Sequence, residues 1–284
     1  MNVPLPDDLE DTVARTLAED VGTGDLTALL VPEGARCRAR VITREAAVLC
    51  GRAWVDAVFR RLDPRLELRW HAADGDAIEP DQLLLEIEGR ARPLLTGERT
   101  ALNWLQTLSG TATAARRYVS AIAGTTCTIL DTRKTVPGLR LAQKYAVRCG
   151  GGRNHRIGLY DGILVKENHI AAAGGIANAV RAAREIAPAV PVEVEVETLE
   201  ELEQAFAAEA DMALLDEFTL LQLREAVRRN HARVRPLQLE ASGGIDLQNL
   251  REIAETGVDF ISIGAITKHV KAVDLSMRME LAPV

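Results

Sequence analysis

From Thr126 onward the chain repeats one unit: a short apolar run, a polar or glycine residue directly after it, then a stretch with helical spacing. The apolar runs are Cys127–Leu130, Gly162–Val165, Val192–Val196, Met212–Leu215, Leu237–Glu240 and Phe260–Ile263. Strand alternating with helix at this spacing predicts right-handed βα units and a parallel sheet or barrel. Only six units are apparent, so the expected fold class is α/β and a full eight-stranded barrel is not supported. In such folds functional groups collect at the C-terminal ends of the strands. There this chain places Asp131, Arg133 and Lys134, then Lys166, Glu197, Asp216, Ser242-Gly243-Gly244 and Gly264.

The first hundred residues read differently. Leu9 to Leu17 has helical spacing and ends at the Gly22–Asp25 turn. Strands are expected over Arg38–Leu49, Leu66–Trp70 and Leu83–Ile87, with a turn at Asp74-Gly75-Asp76. Near Pro93 a long helix begins, carrying Leu95, Leu102, Leu105, Leu108, Tyr118 and Ile122 on one stripe.

Composition narrows the function classes. The 284 residues carry net charge −7, with 47% hydrophobic and 26% charged residues, as in ordinary globular domains. No run approaches the length of a membrane span, and the acidic N-terminal stretch lacks the pattern of a secretory signal. Cys37, Cys50, Cys127 and Cys149 are scattered, so reduced thiols and a cytoplasmic location are expected. The charge is uneven. Residues 131–170 hold eight basic side chains (Arg133, Lys134, Arg140, Lys144, Arg148, Arg153, Arg156, Lys166) against Asp131, Asp161 and Glu167. A confined cationic island in an acidic chain argues against nucleic-acid binding and for a pocket that concentrates a small polyanion. A basic helix face plus solvated loop charges gives the same count.

Ser242-Gly243-Gly244 and Gly264-Ala265 close two consecutive strands, each read as opening a helix, a pattern that cradles a phosphate in backbone N–H groups. A tight turn is the plainer reading of the first pair. Arg133 and Lys134 at one strand end suit carboxylate or phosphate. Gly150-Gly151-Gly152 reads as a flexible hinge before Arg153-Asn154-His155-Arg156. His155 and His169 fit structural hydrogen-bonding roles as well as binding. Glu193, Glu195 and Glu197 share one side of their strand, and in a parallel barrel that side is the interior. Glu195 and Asp216 then stand at neighbouring strand ends, able to hold a sugar diol, to reach a divalent cation through water, or to stabilise charge at an anomeric carbon. An acid-plus-base hydrolase remains open on these two alone. No tight metal-ligand spacing, Gly-x-Ser-x-Gly or phosphate-loop motif is present.

Taken in order, Glu19-Asp20, Gly24–Thr27, Glu98–Asn103, Asp131–Thr135, Gly150–Arg156, Lys166–His169, Val192–Glu197, Leu215-Asp216, Glu240–Ile245 and Ser262–Ala265 resemble the quinolinate phosphoribosyltransferase family across the whole chain. The resemblance implies an N-terminal α/β sandwich domain over 1–105, rejoined by the tail 270–284, and an incomplete, about six-stranded α/β barrel as the catalytic domain over 106–269. It implies transfer of phosphoribose from phosphoribosyl pyrophosphate to quinolinate, giving nicotinate mononucleotide, pyrophosphate and CO₂, with Mg²⁺ on the pyrophosphate. It further implies that Arg133, His155, Arg156 and Lys166 hold the quinolinate carboxylates. Arg99 would reach in from the other subunit of a homodimer, which can assemble further. Lys134 falls near the phosphates, Glu195 and Asp216 at the ribose, and Ser242, Gly243, Gly244, Gly264 and Ala265 at the 5′-phosphate. The alternatives are a paralogue acting on another heteroaromatic acid and a non-catalytic phosphosugar sensor.

Overall fold

The computed structural model describes residues 3–281; residues 1 and 2 and the tail residues 282–284 lie outside the described residues. Two compact units emerge. One runs to Arg116 and takes in Leu141–Gly151 and the chain from His269; the other comprises Arg117–Arg140 and Gly152–Lys268.

The first unit holds α1 (Leu9–Val21), β1 (Arg36–Thr43), β2 (Ala47–Val48), α2 (Arg52–Leu62), β3 (Glu67–Trp70), β4 (Ala77–Ile78), β5 (Leu83–Arg90) and the start of α3 (Ala91–Ala121). Its main sheet is antiparallel, in the order β12-β1-β5-β3, where β12 is Leu275–Leu281. The tail therefore rejoins this unit: Cys37 pairs with Leu281 and Thr43 with Leu275. Along β1 the buried Cys37, Ala39 and Val41 alternate with Arg36, Arg38 and Arg40. Arg38 and Arg40 lie 3.1 and 3.4 Å from Glu88 and Glu86 on β5, a wet face above a dry one. In the core, Trp54 stacks on Trp104 at 5.8 Å and meets Tyr145 at 5.3 Å. Tyr145 belongs to α4 (Arg140–Cys149) and donates a 2.7 Å hydrogen bond to Asp74.

Two expectations need correction here. The single strand expected over Arg38–Leu49 is broken by a turn at Arg44-Glu45, where Thr43 Oγ1 donates to the Glu45 carbonyl. Gly150 is a packing contact rather than a hinge, since an added Cβ would lie 2.5 Å from the Ala112 carbonyl oxygen.

The second unit contains β6 (Thr128–Leu130), β7 (Ile163–Val165), α5 (Glu167–Ala173), α6 (Ile176–Ile186), β8 (Val192–Val196), α7 (Leu199–Ala207), β9 (Met212–Asp216), α8 (Leu220–His231), β10 (Gln238–Ser242), α9 (Leu250–Ala254), β11 (Phe260–Ser262) and α10 (Ala265–Lys268). All six strands are parallel, in the order β6-β11-β10-β9-β8-β7. Each strand from β7 onward lies beside its successor, and the last, β11, pairs with the first. Between β6 and β7 there is no ladder; a single parallel bridge joins Leu130 to Arg153. The incomplete barrel expected from the sequence is the fold observed. Helix starts are well signalled: Thr198 accepts the Glu201 amide, and Thr219 with Gln222 forms a reciprocal cap on α8.

Candidate active site

Register places the charged side chains. Glu193 and Glu195 point to the barrel interior while Val192, Val194 and Val196 pack on the other face, fully buried. Pairing of Glu195 with Leu214, and of Ser242 with Asp216, sets Glu195, Asp216 and Ser242 at the C-terminal rim of three adjacent strands. Glu197 lies beyond the strand, exposed, with its amide donating to Glu201.

At this rim opens a cavity of about 440 Å³, lined by Arg133, Lys134, His155, Arg156, Lys166, Glu195, Asp216, Glu240, Ser242 and Ser262 among others. Every residue lining it belongs to the second unit. Asp131, fully buried at the end of β6, organises one wall: it accepts the His155 amide at 2.9 Å and the Asn154 side-chain amide at 2.6 Å. That holds the residues after the glycine run against the cavity. Lys166 caps α5, its amide donating to His169 Nδ1 at 3.0 Å, and its ammonium pairs with Glu195. His169 thus has the structural role.

The guanidiniums are the clearest sign of a missing partner. Burial and the neighbouring Arg133 push Arg156 below its ordinary pKa. The buried Nε of Arg133 finds no acceptor among the described residues. Two adjacent forks, one with an unused buried donor, are chemically suited to a planar dianion. Lys134 stands exposed at the mouth, its carbonyl accepting the Thr267 hydroxyl at 2.9 Å.

The glycine loops differ in detail from the reading of the sequence. Gly243 and Gly244 both have positive φ, at 92° and 55°, but α9 begins only at Leu250, so this pair opens no helix. Gly264 does lead into α10, yet that helix has four residues, too few for a useful macrodipole. Any phosphate there meets loop amides. Glu217, itself at φ 55°, places its carboxyl group against Gly243.

Sequence reasoning missed a layer beneath. His155 Nε2 lies 2.9 Å from Glu193 and 3.3 Å from Glu240, both almost fully buried. Burial alone would lower the His155 pKa, but the hydrogen bonds to Glu193 and Glu240 raise it to about 10. The Arg156 amide, 2.7 Å from Nδ1, opposes that rise because it needs the lone pair there. Burial, then the charge of Glu240, pushes Glu193 up. The residues are far apart in sequence; only the inward alternation of Glu193 was a signal. Arg99, expected to come from another subunit, is an exposed residue of α3 in the first unit.

Fold and site together define an α/β barrel protein with a cation-rich cavity at its strand ends. The chain belongs to the quinolinate phosphoribosyl transferase family, whose N-terminal domain matches residues 25–109 and whose C-terminal domain matches residues 111–278. It is 43% identical over 265 residues to a protein of Bacillus subtilis named probable nicotinate-nucleotide pyrophosphorylase (carboxylating), covering 93% of this chain and 91% of that one. The nicotinate-nucleotide pyrophosphorylase (carboxylating) of Mycobacterium leprae is 42% identical, over 95% and 97% of the two chains. Among solved structures, the nicotinate-nucleotide pyrophosphorylase of Francisella tularensis superimposes with a TM-score of 0.94 at 47% identity, over 98% of each chain.

Proposed function

We propose that the protein transfers the phosphoribosyl group of phosphoribosyl pyrophosphate to quinolinate with loss of CO₂, giving nicotinate mononucleotide and pyrophosphate in de novo NAD synthesis. The observation that carries this reading is the pair of neighbouring guanidiniums, Arg133 and Arg156, facing a cavity shared with Lys134, Lys166, Glu195 and Asp216. Quinolinate offers two carboxylates to such a pair, with Lys166 as a third cation. Arg99 completes the set from the partner of a homodimer. His155 stands in the same wall with both ring nitrogens engaged within the protein.

Little covalent chemistry falls to the protein. Ser242, Gly243, Gly244, Gly264 and Ala265 hold the 5′-phosphate through loop amides and a hydroxyl, and Lys134 meets the pyrophosphate. Asp216 at the rim, a hard oxygen donor, would help hold a Mg²⁺ ion bound with that substrate, which would neutralise charge on the departing pyrophosphate. Glu195 and Asp216 accept the ribose hydroxyls and favour positive charge at the anomeric carbon. The pyridine nitrogen, fixed by its carboxylates, attacks that carbon as pyrophosphate leaves with the bonding pair. The nitrogen becomes quaternary and draws electrons from the adjacent ring carbon. That carbon then releases CO₂ and takes a proton in its place. The Lys166–Glu195 ion pair holds both groups at the junction between the acid and the sugar.

No described helix is long and apolar enough to cross a membrane. The reaction is placed in the cytoplasm on this reading. Release of labelled CO₂ from carboxyl-labelled quinolinate, with phosphoribosyl pyrophosphate and Mg²⁺, tests the assignment, with nicotinate as the control acid. One CO₂ per mononucleotide from quinolinate, and no product from nicotinate, is the expected result. Turnover of nicotinate, or none of quinolinate by the folded protein, overturns it in favour of another heteroaromatic acid or a sensor.

A further inference from the structure

The floor of the cavity holds an arrangement that the reaction as described does not use. Glu193 on β8 and Glu240 on β10 flank the Nε2 edge of His155, across the intervening strand β9. Their exposures are 4% and 1%. Glu193 Oε1 and Glu240 Oε1 find no donor among the described residues, and Glu240 Oε2 lies 3.3 Å from His155 Nε2. Buried carboxylates are normally saturated with donors, so this cluster calls for a reason.

A bound metal is one candidate, since the three ligand atoms lie within 4.8 Å of one another. The hydrogen bonding of the ring argues against it. Nδ1 accepts the Arg156 backbone N–H at 2.7 Å, which puts the ring proton on Nε2, between the two carboxylates. A metal would need the lone pair that this proton occupies. What remains is a clamp: two acids grip one edge of the imidazole, and the other edge grips the backbone of Arg156. The guanidinium of that residue in turn donates to the Gly162 carbonyl at 3.2 Å. The acids also supply countercharge beneath two guanidiniums that repel each other, Glu193 acting directly on Arg156.

We propose that Glu193 and Glu240 are positioning residues that act through His155: they fix the Arg156 backbone, and so aim its guanidinium at a substrate carboxylate. This rests on the quinolinate reading above. The tripartite clamp explains why His155 has both nitrogens committed inside the protein, and why two carboxylates are retained at the barrel floor around one imidazole.

Steady-state kinetics of Glu193→Gln and Glu240→Gln, which keep the side-chain shape and remove the charge, test it on the full chain. The KM for quinolinate should rise about tenfold or more, as for a sub-ångström misaiming of a binding group. The KM for phosphoribosyl pyrophosphate should stay within about twofold, a split that general loosening of the barrel does not produce. Should either glutamine variant fail to fold, Glu193→Asp or Glu240→Asp, shorter but still charged, should show the same selective rise. An unchanged KM for quinolinate, or equal rises in both, overturns the inference while leaving the reaction intact. Failure of the wild-type protein to turn over quinolinate sinks the functional reading, and this inference with it.

Discussion

Two strands of this molecule carry nearly the same alternation and put it to opposite use. On β1, Arg36, Arg38 and Arg40 alternate with Cys37, Ala39 and Val41; on β8, Glu193 and Glu195 alternate with three valines. The arginines of β1 are exposed and pair across the sheet with Glu86 and Glu88. The glutamates of β8 face the barrel interior, Glu193 almost wholly dry. Alternation alone says only that the charges share a face. Connectivity decides whether that face is wet: an antiparallel sheet leaves one side open, whereas parallel strands with covering helices close off the outer side and turn the other into an interior. Charges that remain on such an interior are costly, and their presence marks function.

The largest effects come from the rim of the interior. Lys134→Ala and Glu195→Ala are each expected to lower kcat by about 10²–10³-fold with the fold intact, the size seen on removing one preorganised stabiliser. Wild-type turnover in either folded variant would remove that residue from the reaction. Gly243→Ala comes next. Its φ is 92°, and the new Cβ would sit 2.7 Å from Glu217 Cδ and 2.9 Å from the Glu217 backbone nitrogen. Unfolding should become easier by about 1–3 kcal/mol, and the KM for phosphoribosyl pyrophosphate should rise. A variant with native Tm and native KM would show that the loop has room to spare.

Effects in the first unit are smaller. Arg65, then Arg90, holds the Asp63 carboxyl well below the usual carboxylate range. A depressed folded pKa gives stabilisation that is present above the unfolded value, about 4, and is lost as pH falls below it. Asp63→Asn should therefore flatten the acid limb of a Tm-against-pH curve below about pH 4; an unaltered limb would mean that other carboxylates govern it. Smallest of all, Arg38→Ala should leave kcat, both KM values and Tm unchanged, because exposed ion pairs contribute little. A clear loss of activity in that variant would break the comparison itself.

The barrel was legible because each strand is a short apolar run ended by a functional residue, and the spacing admits little else. The rim residues Arg133, Lys134, Lys166, Glu195 and Asp216 were legible for the same reason. Less visible was what depends on partners distant in the chain. Helix α2 lies in a stretch to which the sequence reading assigns no element, although Trp54, Val55, Val58 and Phe59 have helical spacing and are buried. Helix α4 was hidden within the cationic island: Arg140, Lys144 and Arg148 were counted toward a pocket, but they line a helix, and Lys144 is buried there. The glycines at 150–152 suggested motion, yet Gly150 is there for a close approach to α3. Nor does any local pattern announce that Glu193 and Glu240 meet over one imidazole, since 46 residues stand between them.

The closing strands set an order of events on the ribosome. The barrel is completed by β11 against β6, pairing Phe260 with Thr128, and the antiparallel sheet by β12 against β1, pairing Leu281 with Cys37. Both sheets wait for the last segments to be synthesised, so a nascent chain that has not yet exposed residue 260 has an unpaired edge in each. Such edges invite pairing with other chains. Loop closure over these distances is slow as well. Pairing of β11 and β12 thus covers the β6 and β1 edges that the chain leaves open until then.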